Sequence, residues 1–289
     1  MTLDSSPSTL DESIRLASNR IGDRLPKPCA LFMCATGVGV LPGQLTERVA
    51  LPLGGIEGVP AGWEEAVLYA GSLQSLPVWL IDDEGARLGS EPSWSGGFPV
   101  WLAAAHGARC AVFTSAGCAL PVSQPAGSKL AGSLAVATDH IRFGDSTPLT
   151  DLGPNDLGPL FPDLSLLHDR ELRDAALARA GELGFPLSPA VIACTRGPAL
   201  ETRAEREVLA SIGAAISVQS LAPPLLAAGH AGLRALSITA VTDEGDRPVD
   251  MSTLLANAEA LAPKLDDLML ALVPDLEARV AALEEEHTA

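Results

Sequence analysis

The sequence predicts a single α/β domain in which a mixed, mostly parallel central sheet is flanked by helices. Short apolar runs rich in Val, Ile, Leu and Ala recur along the chain, and helical patterns separate several of them. Strands that are apolar throughout are typical of parallel sheets covered on both faces. A chain of 289 residues that is 47% hydrophobic can bury a full core, and no fixed-period repeat or Pro- or Ser-rich run divides it.

The elements follow one another in the order typical of such a fold. Thr9 and Glu12 form a capping-box pattern ahead of apolar residues at helical spacing, which predicts an N-terminal helical segment over 1–28. The α/β domain is expected to span 29–275, followed by an acidic, solvated helical tail over 276–289 that frays at its end. Strands are predicted at 29–34, 76–81, 109–114, 133–138, 190–194, 214–219 and 234–241. Helices are predicted at 98–106, 169–181, 202–212, 221–230 and 251–272, and an ordered surface loop at 145–167.

Composition argues against several classes of function. The 36 acidic residues outnumber the 19 basic ones, so the net charge of −17 is a poor match for nucleic acid. The same charge makes an anionic substrate costly to bind unless cations are clustered locally. We see neither a signal peptide nor an apolar stretch long enough to cross a membrane. The five cysteines contain no CxxC pair and are expected to be buried thiols in a reducing cytoplasm, with no metal site among them.

Four short motifs directly follow predicted strands, where α/β sheets place their ligands. They read CATGVGV at 34–40, TSAGCA at 114–119, TDHI at 138–141 and TDEGD at 242–246. The first is a poor dinucleotide fingerprint, because its third glycine is misplaced and Pro42 intrudes. Two alternatives stay open for it: an anion-binding turn that uses Thr36, or a purely structural turn.

The polar residues of the other motifs allow more than one interpretation. The small residues around Ala116 either let a ligand approach the backbone or permit a tight turn. Asp139 beside His140 is more often a structural pair than a catalytic one. Asp243 is a plausible hydrogen-bonding carboxylate for a ligand, since no His or Cys accompanies it as a metal partner. The remaining histidines at predicted helix ends, where imidazole is commonly a cap, are His106, His168 and His230.

Glu201 lies in CTRGPALETRAE, after an apolar run and a Gly-Pro turn, where a helix is about to begin. A carboxylate near a helix N-terminus can simply be surface charge that the helix dipole favours. It can also be a ligand-binding group at a strand end. Because the four other motifs converge on the same edge of the predicted sheet, we favour the ligand-binding interpretation.

Taken together, the motifs resemble those of the trimeric purine nucleoside phosphorylases and their methylthioadenosine phosphorylase relatives. The resemblance runs from about Cys29 to Leu272. It is carried by ATGVG, TSAGCAL, TDHI, GPND followed by FPDLS, RGPALETRAE, GAAISVQS and SITAVTD. It implies the nucleoside phosphorylase fold, a cytoplasmic homotrimer, and transfer of a pentosyl group from a purine nucleoside to phosphate in purine salvage. No cofactor is implied beyond phosphate as co-substrate.

The resemblance also implies roles for individual residues. Glu201 matches the carboxylate that grips the purine edge, and Asp243 matches the group that hydrogen-bonds the base near N7. In the family, Asn at the second position accompanies 6-oxopurines and Asp accompanies 6-aminopurines. Such groups assist catalysis because the leaving purine takes up negative charge. The other implied contacts are Ala116, Leu200 and Gln219 with the nucleoside, and Thr36, Ala116, Ser220 and Arg87 with phosphate.

The phosphate half of the implied site departs from the family pattern. Where the family carries GRxHxYEG, this chain has DEGARLG, so that Glu84, Ala86 and Leu88 replace Arg, His and Tyr. Losing an Arg–phosphate contact costs about 1.5–3 kcal/mol. A carboxylate at ~5 Å adds a repulsion of about 3 kcal/mol per charge pair. Two further positions are histidine in the family: one corresponds to Tyr69 of this chain, and the other lies near Ala258. Leu200 replaces the Phe that stacks on the base.

Three functions therefore stay open from the sequence. The first is a divergent phosphorylase that binds phosphate with Thr36, Ser220 and Arg87. The second is a nucleosidase that uses water, with Glu84 as a conceivable general base. The third is a catalytically silent nucleoside-binding homologue, or a subunit that partners an active paralogue.

Overall fold

The computed structural model describes residues 9–35, 39–82, 92–121, 130–144, 147–150, 152–244 and 251–288. Nine strands lie within these residues: β1 Ala30–Cys34, β2 Leu45–Pro52, β3 Val67–Leu73, β4 Leu76–Asp82, β5 Cys110–Ala119, β6 Leu134–Arg142, β7 Leu187–Thr195, β8 Ile216–Gln219 and β9 Arg234–Asp243. Eight α-helices accompany them: α1 Leu10–Ile21, α2 Leu41–Gln44, α3 Phe98–Ala105, α4 Arg170–Glu182, α5 Arg203–Ser211, α6 Ala222–His230, α7 Met251–Ala271 and α8 Val273–Thr288. The α/β prediction is confirmed, and every predicted strand and helix is present.

The strands form one mixed sheet in the order β2-β3-β4-β1-β5-β8-β7-β6-β9, and β9 also pairs with β5. Strands β1, β4, β5 and β9 run parallel to one another, as do β6, β7 and β8. The pairings β2–β3, β3–β4, β5–β8 and β6–β9 are antiparallel. Because β9 returns to β5, five strands close into a ring. Strand β5 pairs with β8 and β9 within the ring. It also pairs with β1, and this pairing joins the ring to the open half of the sheet.

Helices cover both faces of the sheet, and the alternation of side chains along β1 shows how. Leu31 and Met33 point into a core built with α1, α3 and α6. Phe32 and Cys34 point into a second core built with α4, α7 and α8. This two-sided burial explains why the strand is apolar throughout instead of alternating with polar residues. Three tryptophans, Trp63, Trp79 and Trp101, are fully buried in the first core, so they offset the low aromatic content.

The C-terminal helix differs from its prediction as a solvated tail. Helix α8 begins at Val273 and continues to Thr288, and its first half is part of the core. Leu276 and Val280 are 0% and 4% exposed. Arg279 lies among them and donates from Nε to the Asp169 carboxylate at 2.9 Å, an ion pair that joins α8 to the start of α4. The acidic composition of the tail reflects only its outer face.

The long helix α7 contains a buried acid that gives the fold a pH dependence. Asp266 is 7% exposed, and its Oδ1 has no hydrogen-bond partner among the described residues. Burial, with the charge of Asp267 as the smaller cause, raises the pKa of Asp266 from 3.8 to about 6. The folded state therefore holds this proton more tightly than the unfolded state. The protonated Asp266 side chain therefore makes its full contribution to the free energy of unfolding below pH 4, and this contribution is lost as the pH rises through 6.

Asp266→Asn should accordingly stabilise the protein at pH 8 by about 1 kcal/mol, and much less at pH 4.5, because the amide never has to ionise. Urea unfolding at the two pH values measures the difference. Glu259→Gln, an exposed change on the same helix, is the control and should show no such pH dependence. An equal gain at both pH values would mean that the effect of Asp266→Asn is not electrostatic.

Candidate functional site

A cavity of about 310 Å³ opens where β5 and β9 end and where β1 leaves the sheet. This volume falls in the lower part of the range that small-molecule sites occupy. Strand β8, the segment before α5 and helices α5, α6 and α7 supply the rest of the wall. The lining includes Ala116, Gly117, Cys118, Leu200, Glu201, Arg206, Ser217, Gln219, Ser220, Thr242, Asp243, Met251, Leu254, Leu255 and Ala258.

The structure brings together six of the residues that the sequence singled out. The cavity wall contains Ala116, Leu200, Glu201, Gln219, Ser220 and Asp243. They come from four separate stretches of chain, so their meeting is a property of the fold and not of sequence proximity. Ala258, near which the family histidine is expected, also lies on the wall. The predicted phosphate contacts Thr36 and Arg87 lie outside the described residues, as do Glu84, Ala86 and Leu88.

Glu201 is held inside the cavity and not on the surface. It immediately precedes Thr202, the N-cap of α5, whose capping box with Glu205 fixes the start of the helix. The Glu201 side chain turns inward and is 7% exposed. The Thr195 hydroxyl donates to Oε1 at 2.5 Å, and the Ser217 hydroxyl donates to Oε2 at 3.3 Å. Two hydroxyls on neighbouring strands thus orient a carboxylate into the cavity, which favours the ligand-binding interpretation over surface charge.

Asp243 is the last residue of β9 and lines the same cavity as Glu201. The Thr242 hydroxyl donates to the Gly117 carbonyl at 3.1 Å, and Asn257 on α7 donates to the Thr242 carbonyl at 2.8 Å. These bonds fix the end of β9 against β5 and α7. The Cys118 thiol, which donates to the Ala119 carbonyl at 3.3 Å, lies close enough to Asp243 for the carboxylate to raise its pKa. A second carboxylate is therefore positioned at the wall, near a buried thiol.

The backbone of β5 is packed too closely at this point for a larger residue. A Cβ added at Gly117 would meet the side chains of Thr239 and Ile216 at 2.7 and 2.8 Å and the Ser217 carbonyl oxygen at 2.8 Å. Contacts this short between a Cβ and its neighbours force a shift of the backbone. Glycine is needed here because β5 touches β8 on one side and β9 on the other.

Gln219 supports the segment that leads to Glu201. Its side-chain amide donates to the Ala199 carbonyl at 2.8 Å, and a Cβ at Gly197 would come within 2.5 Å of its Oε1. Gln219 therefore holds the turn that carries Leu200. The next residue, Ser220, has a φ of 61°, which is uncommon for a residue with a side chain and typical of functional positions. Its N–H donates to the Thr195 carbonyl at 3.2 Å.

Arg206 is a charged residue of the wall that the sequence motifs did not reveal. Its side chain is 10% exposed, and its Nε lies 3.9 Å from Oε2 of Glu201. Within ETRAEREV it looks like one charge among many on an exposed helix. The helical period provided a signal, because Arg206 and Leu209 lie three residues apart and are the buried residues of α5. Ser217 and Thr195 were missed because only the strand pairing brings them to Glu201.

The mouth of the cavity is apolar. Leu200, Met251 and Leu255 are 46%, 63% and 53% exposed, although all three also line the cavity. Apolar side chains that are exposed around an opening are typical of a surface that a ligand or another protein chain covers.

The histidines do not contribute to this wall in the described part of the chain. Nδ1 of His140 and Nε2 of His168 share a hydrogen bond of 3.0 Å, and with Asp139 their potential ligand atoms lie within 4.8 Å, close enough to hold a metal ion. Burial lowers the pKa of His168 to about 4. His230, in the last turn of α6, accepts a hydrogen bond from Trp101 at 3.0 Å, so its ring links α6 to α3.

The thiol of Cys118 is expected to be inert despite its place in the cavity. Burial, with the Asp243 charge as the next cause, raises the pKa of Cys118 to about 12, so only about 10⁻⁴ of it is thiolate at pH 8. Iodoacetamide at pH 8 should leave Cys118 unlabelled in the native protein and label it after unfolding, as mass spectrometry of peptides would show. Cys29, which is partly exposed, is the internal control. Rapid native labelling of Cys118 would show that the cavity wall opens.

The fold and the cavity together define the class of protein. The family model described as "Phosphorylase superfamily" matches residues 37–274. Since this match covers most of the chain, the protein belongs to the phosphorylase superfamily, and the resemblance inferred from the motifs is confirmed.

Relatives of known name are purine nucleoside phosphorylases. Purine nucleoside phosphorylase 1 of Bacillus subtilis is 27% identical over 278 residues, which cover 93% of this chain and all of the relative. A putative purine nucleoside phosphorylase of Schizosaccharomyces pombe is 30% identical over 237 residues, covering 78% and 73% of the two chains. These matches place the chain among the purine nucleoside phosphorylases.

Solved structures show the same fold. A Schistosoma purine nucleoside phosphorylase in complex with hypoxanthine aligns with a TM-score of 0.83 at 22% identity, over 92% of this chain and 98% of the other. The Schistosoma mansoni enzyme in complex with inosine aligns with a TM-score of 0.80 at 22% identity, over 92% and 96% of the chains. At this identity the likeness establishes the architecture. No described helix is both long and apolar enough to cross a membrane.

Proposed function

We propose that the protein cleaves the N-glycosidic bond of purine nucleosides with phosphate, releasing the free base and a pentose 1-phosphate. The observation that supports this most directly is the cavity wall on which Glu201 and Asp243 meet. Both carboxylates can accept hydrogen bonds from the edge of a purine, and Ala116 and Ser220 lie on the same wall. The Schistosoma relatives, in complex with hypoxanthine and with inosine, are consistent with a purine ligand.

The chemistry assigns each group a part in one displacement. An oxygen of phosphate attacks C1′ of the sugar as the bond from C1′ to N9 breaks, and the electron pair of that bond moves to the purine. The purine then takes a proton from solvent. Glu201 and Asp243 orient the base, and Ser220 offers its hydroxyl to phosphate. Phosphate is the only co-substrate that we propose. Asp243, which in the family accompanies 6-aminopurines, makes adenosine the first nucleoside to test.

The proposal can be tested by incubating the protein with a panel of purine nucleosides, with and without phosphate. The base and sugar products are then separated and identified by chromatography. We expect base release that requires phosphate and yields pentose 1-phosphate in equal amount. Base release that ignores phosphate and yields free pentose would instead identify a nucleosidase. Saturable nucleoside binding without any turnover would identify a binding homologue. Either outcome would overturn the phosphorylase proposal.

We also propose that the protein acts as a homotrimer in the cytoplasm, as the family resemblance implies. Supporting this, the segment between β6 and α4 exposes apolar side chains: Leu160, Phe161 and Leu166 are 53%, 88% and 64% exposed. Surfaces of this kind commonly pack against another subunit. Light scattering coupled to size-exclusion chromatography would give three times the 29.8 kDa chain mass for a trimer, and the monomer mass would refute it.

A further inference from the structure

One charge in the cavity has no counterpart in the motifs that identified the family. Arg206 lies on α5 with its side chain 10% exposed and its Nε 3.9 Å from Oε2 of Glu201. It is the only cationic side chain among the described residues that line the cavity. A guanidinium stays protonated at any physiological pH, so this charge is permanent.

The surroundings of Arg206 make its charge important for the proposed reaction. Glu201 and Asp243 both lie on the same wall, and two carboxylates would oppose a base that departs with negative charge. Cys118 lines the same cavity and is affected by all three groups, since Asp243 and Glu201 raise the pKa of its thiol and Arg206 lowers it. The charges therefore interact across this wall, and Arg206 offsets one of the two carboxylates where screening by water is weak.

We propose that Arg206 stabilises the purine as it leaves, by placing positive charge at the wall that holds Glu201 and Asp243. This inference rests on the proposed phosphorolysis. As the bond from C1′ to N9 breaks, its electron pair spreads over the purine ring, and phosphate oxygen forms the new bond to C1′. A fixed cation in the wall beside Glu201 lowers the energy of this anionic leaving group more than that of the neutral nucleoside, and so increases turnover.

A structural role makes a different prediction. If Arg206 only held Glu201 in place, its loss would impair every substrate whose base Glu201 binds, whatever the charge of that base. If Arg206 stabilises developing negative charge, its loss should matter least for a nucleoside whose base leaves without becoming an anion. A nucleoside methylated at N7 already carries a positive charge on its base, which therefore departs as a neutral molecule. The riboside of 2-amino-6-chloropurine is a second probe, because its more acidic base needs less stabilisation while its amino group can still donate to Glu201.

The test compares turnover of adenosine or inosine, whichever the wild-type protein cleaves faster, with turnover of 7-methylguanosine and 2-amino-6-chloropurine riboside. Arg206→Met removes the charge, and Arg206→Lys retains it. Arg203→Met is the matched control, because Arg203 is on the same helix with 93% of its side chain exposed. Taking the ratio of two substrates in one preparation removes any effect of a partly unfolded variant.

We expect Arg206→Met to lower turnover of the unmodified nucleoside on the order of 100-fold and to lower turnover of the two activated nucleosides far less. Arg206→Lys should largely restore the wild-type ratio, and Arg203→Met should leave it unchanged. An equal loss on all substrates would overturn the inference and reduce Arg206 to a positioning residue for Glu201, while the phosphorylase activity itself would stand. A wild-type protein that cleaves none of these nucleosides in phosphate would refute the proposed function, and this inference with it.

Discussion

Replacing Glu201 by Gln should lower kcat/KM for nucleoside cleavage by about 100- to 1,000-fold, the scale seen when one preorganised polar group is removed from an active site. The amide keeps the shape of the side chain but replaces one acceptor oxygen with a donor. It therefore disturbs the pairing with the Thr195 or Ser217 hydroxyl and removes the charge that faces Arg206. Steady-state kinetics with the best nucleoside of the panel measures the effect.

Glu207→Gln is the matched control for this change. Glu207 lies on α5, the helix that Glu201 precedes. It is 58% exposed and forms an i,i+4 ion pair with Arg203, so its loss should leave kcat/KM unchanged. Circular dichroism and thermal melting of both variants would show that the fold is intact. Unchanged kinetics in Glu201→Gln would mean that the substrate binds elsewhere, in spite of the orientation of Glu201 into the cavity.

Replacing Asp169 by Ala should destabilise the protein by about 3–5 kcal/mol, the largest loss of stability that we expect from a single change. The Asp169 carboxylate, 4% exposed, accepts from Arg279, 9% exposed, at 2.9 Å. Its other oxygen accepts from the Leu172 N–H at 3.0 Å and caps α4. The alanine removes both interactions and leaves Arg279 without its buried partner.

Asp169→Asn separates the two contributions, because asparagine can still cap a helix but has no charge. In urea unfolding, its free energy of unfolding should be about 1 kcal/mol higher than that of the alanine variant. Asp174→Ala, which removes a carboxylate that is 55% exposed on the same helix, should change the free energy of unfolding little. A loss below 1 kcal/mol in Asp169→Ala would show that α8 is not held to the core through this pair.

The sequence predicted the buried strands correctly, but it did not predict β2 and β3 at one edge of the sheet. Strand β2 was missed because most of its side chains are exposed, and a bulge between Thr46 and Val49 breaks its register. Glu47 has a φ of 52° at that bulge. Strand β3, which lies between β2 and β4, was also missed, because its apolar run at 66–70 is short and ends at Gly71. An exposed edge strand such as β2 carries little of the hydrophobic signal on which prediction depends.

The candidate site likewise contains residues that could be predicted from the sequence and residues that could not. Glu201 and Asp243 could be located from motifs, because each follows a strand end in a recognisable pattern. Arg206 could not be placed at the wall until the pairing of β7 with β8 and the start of α5 were known, since apart from the segment of Glu201 the residues that share the wall with it are distant in sequence. The same holds for the ion pair of Arg279 with Asp169, which joins residues 110 apart. Local patterns predict elements, whereas contacts between elements depend on the assembled fold.

The packing around Gly117 bears on how such a cavity can change over evolution or in the laboratory. A methyl group at that position would collide with both neighbouring strands, so the sheet side of the cavity allows almost no variation in size. The side formed by α7 has more freedom, because Leu254 and Leu255 lie beside the mouth and Met251 is 63% exposed. A shift in ligand preference would therefore arise by substitution on this helix, while the strands that carry the polar groups stay as they are.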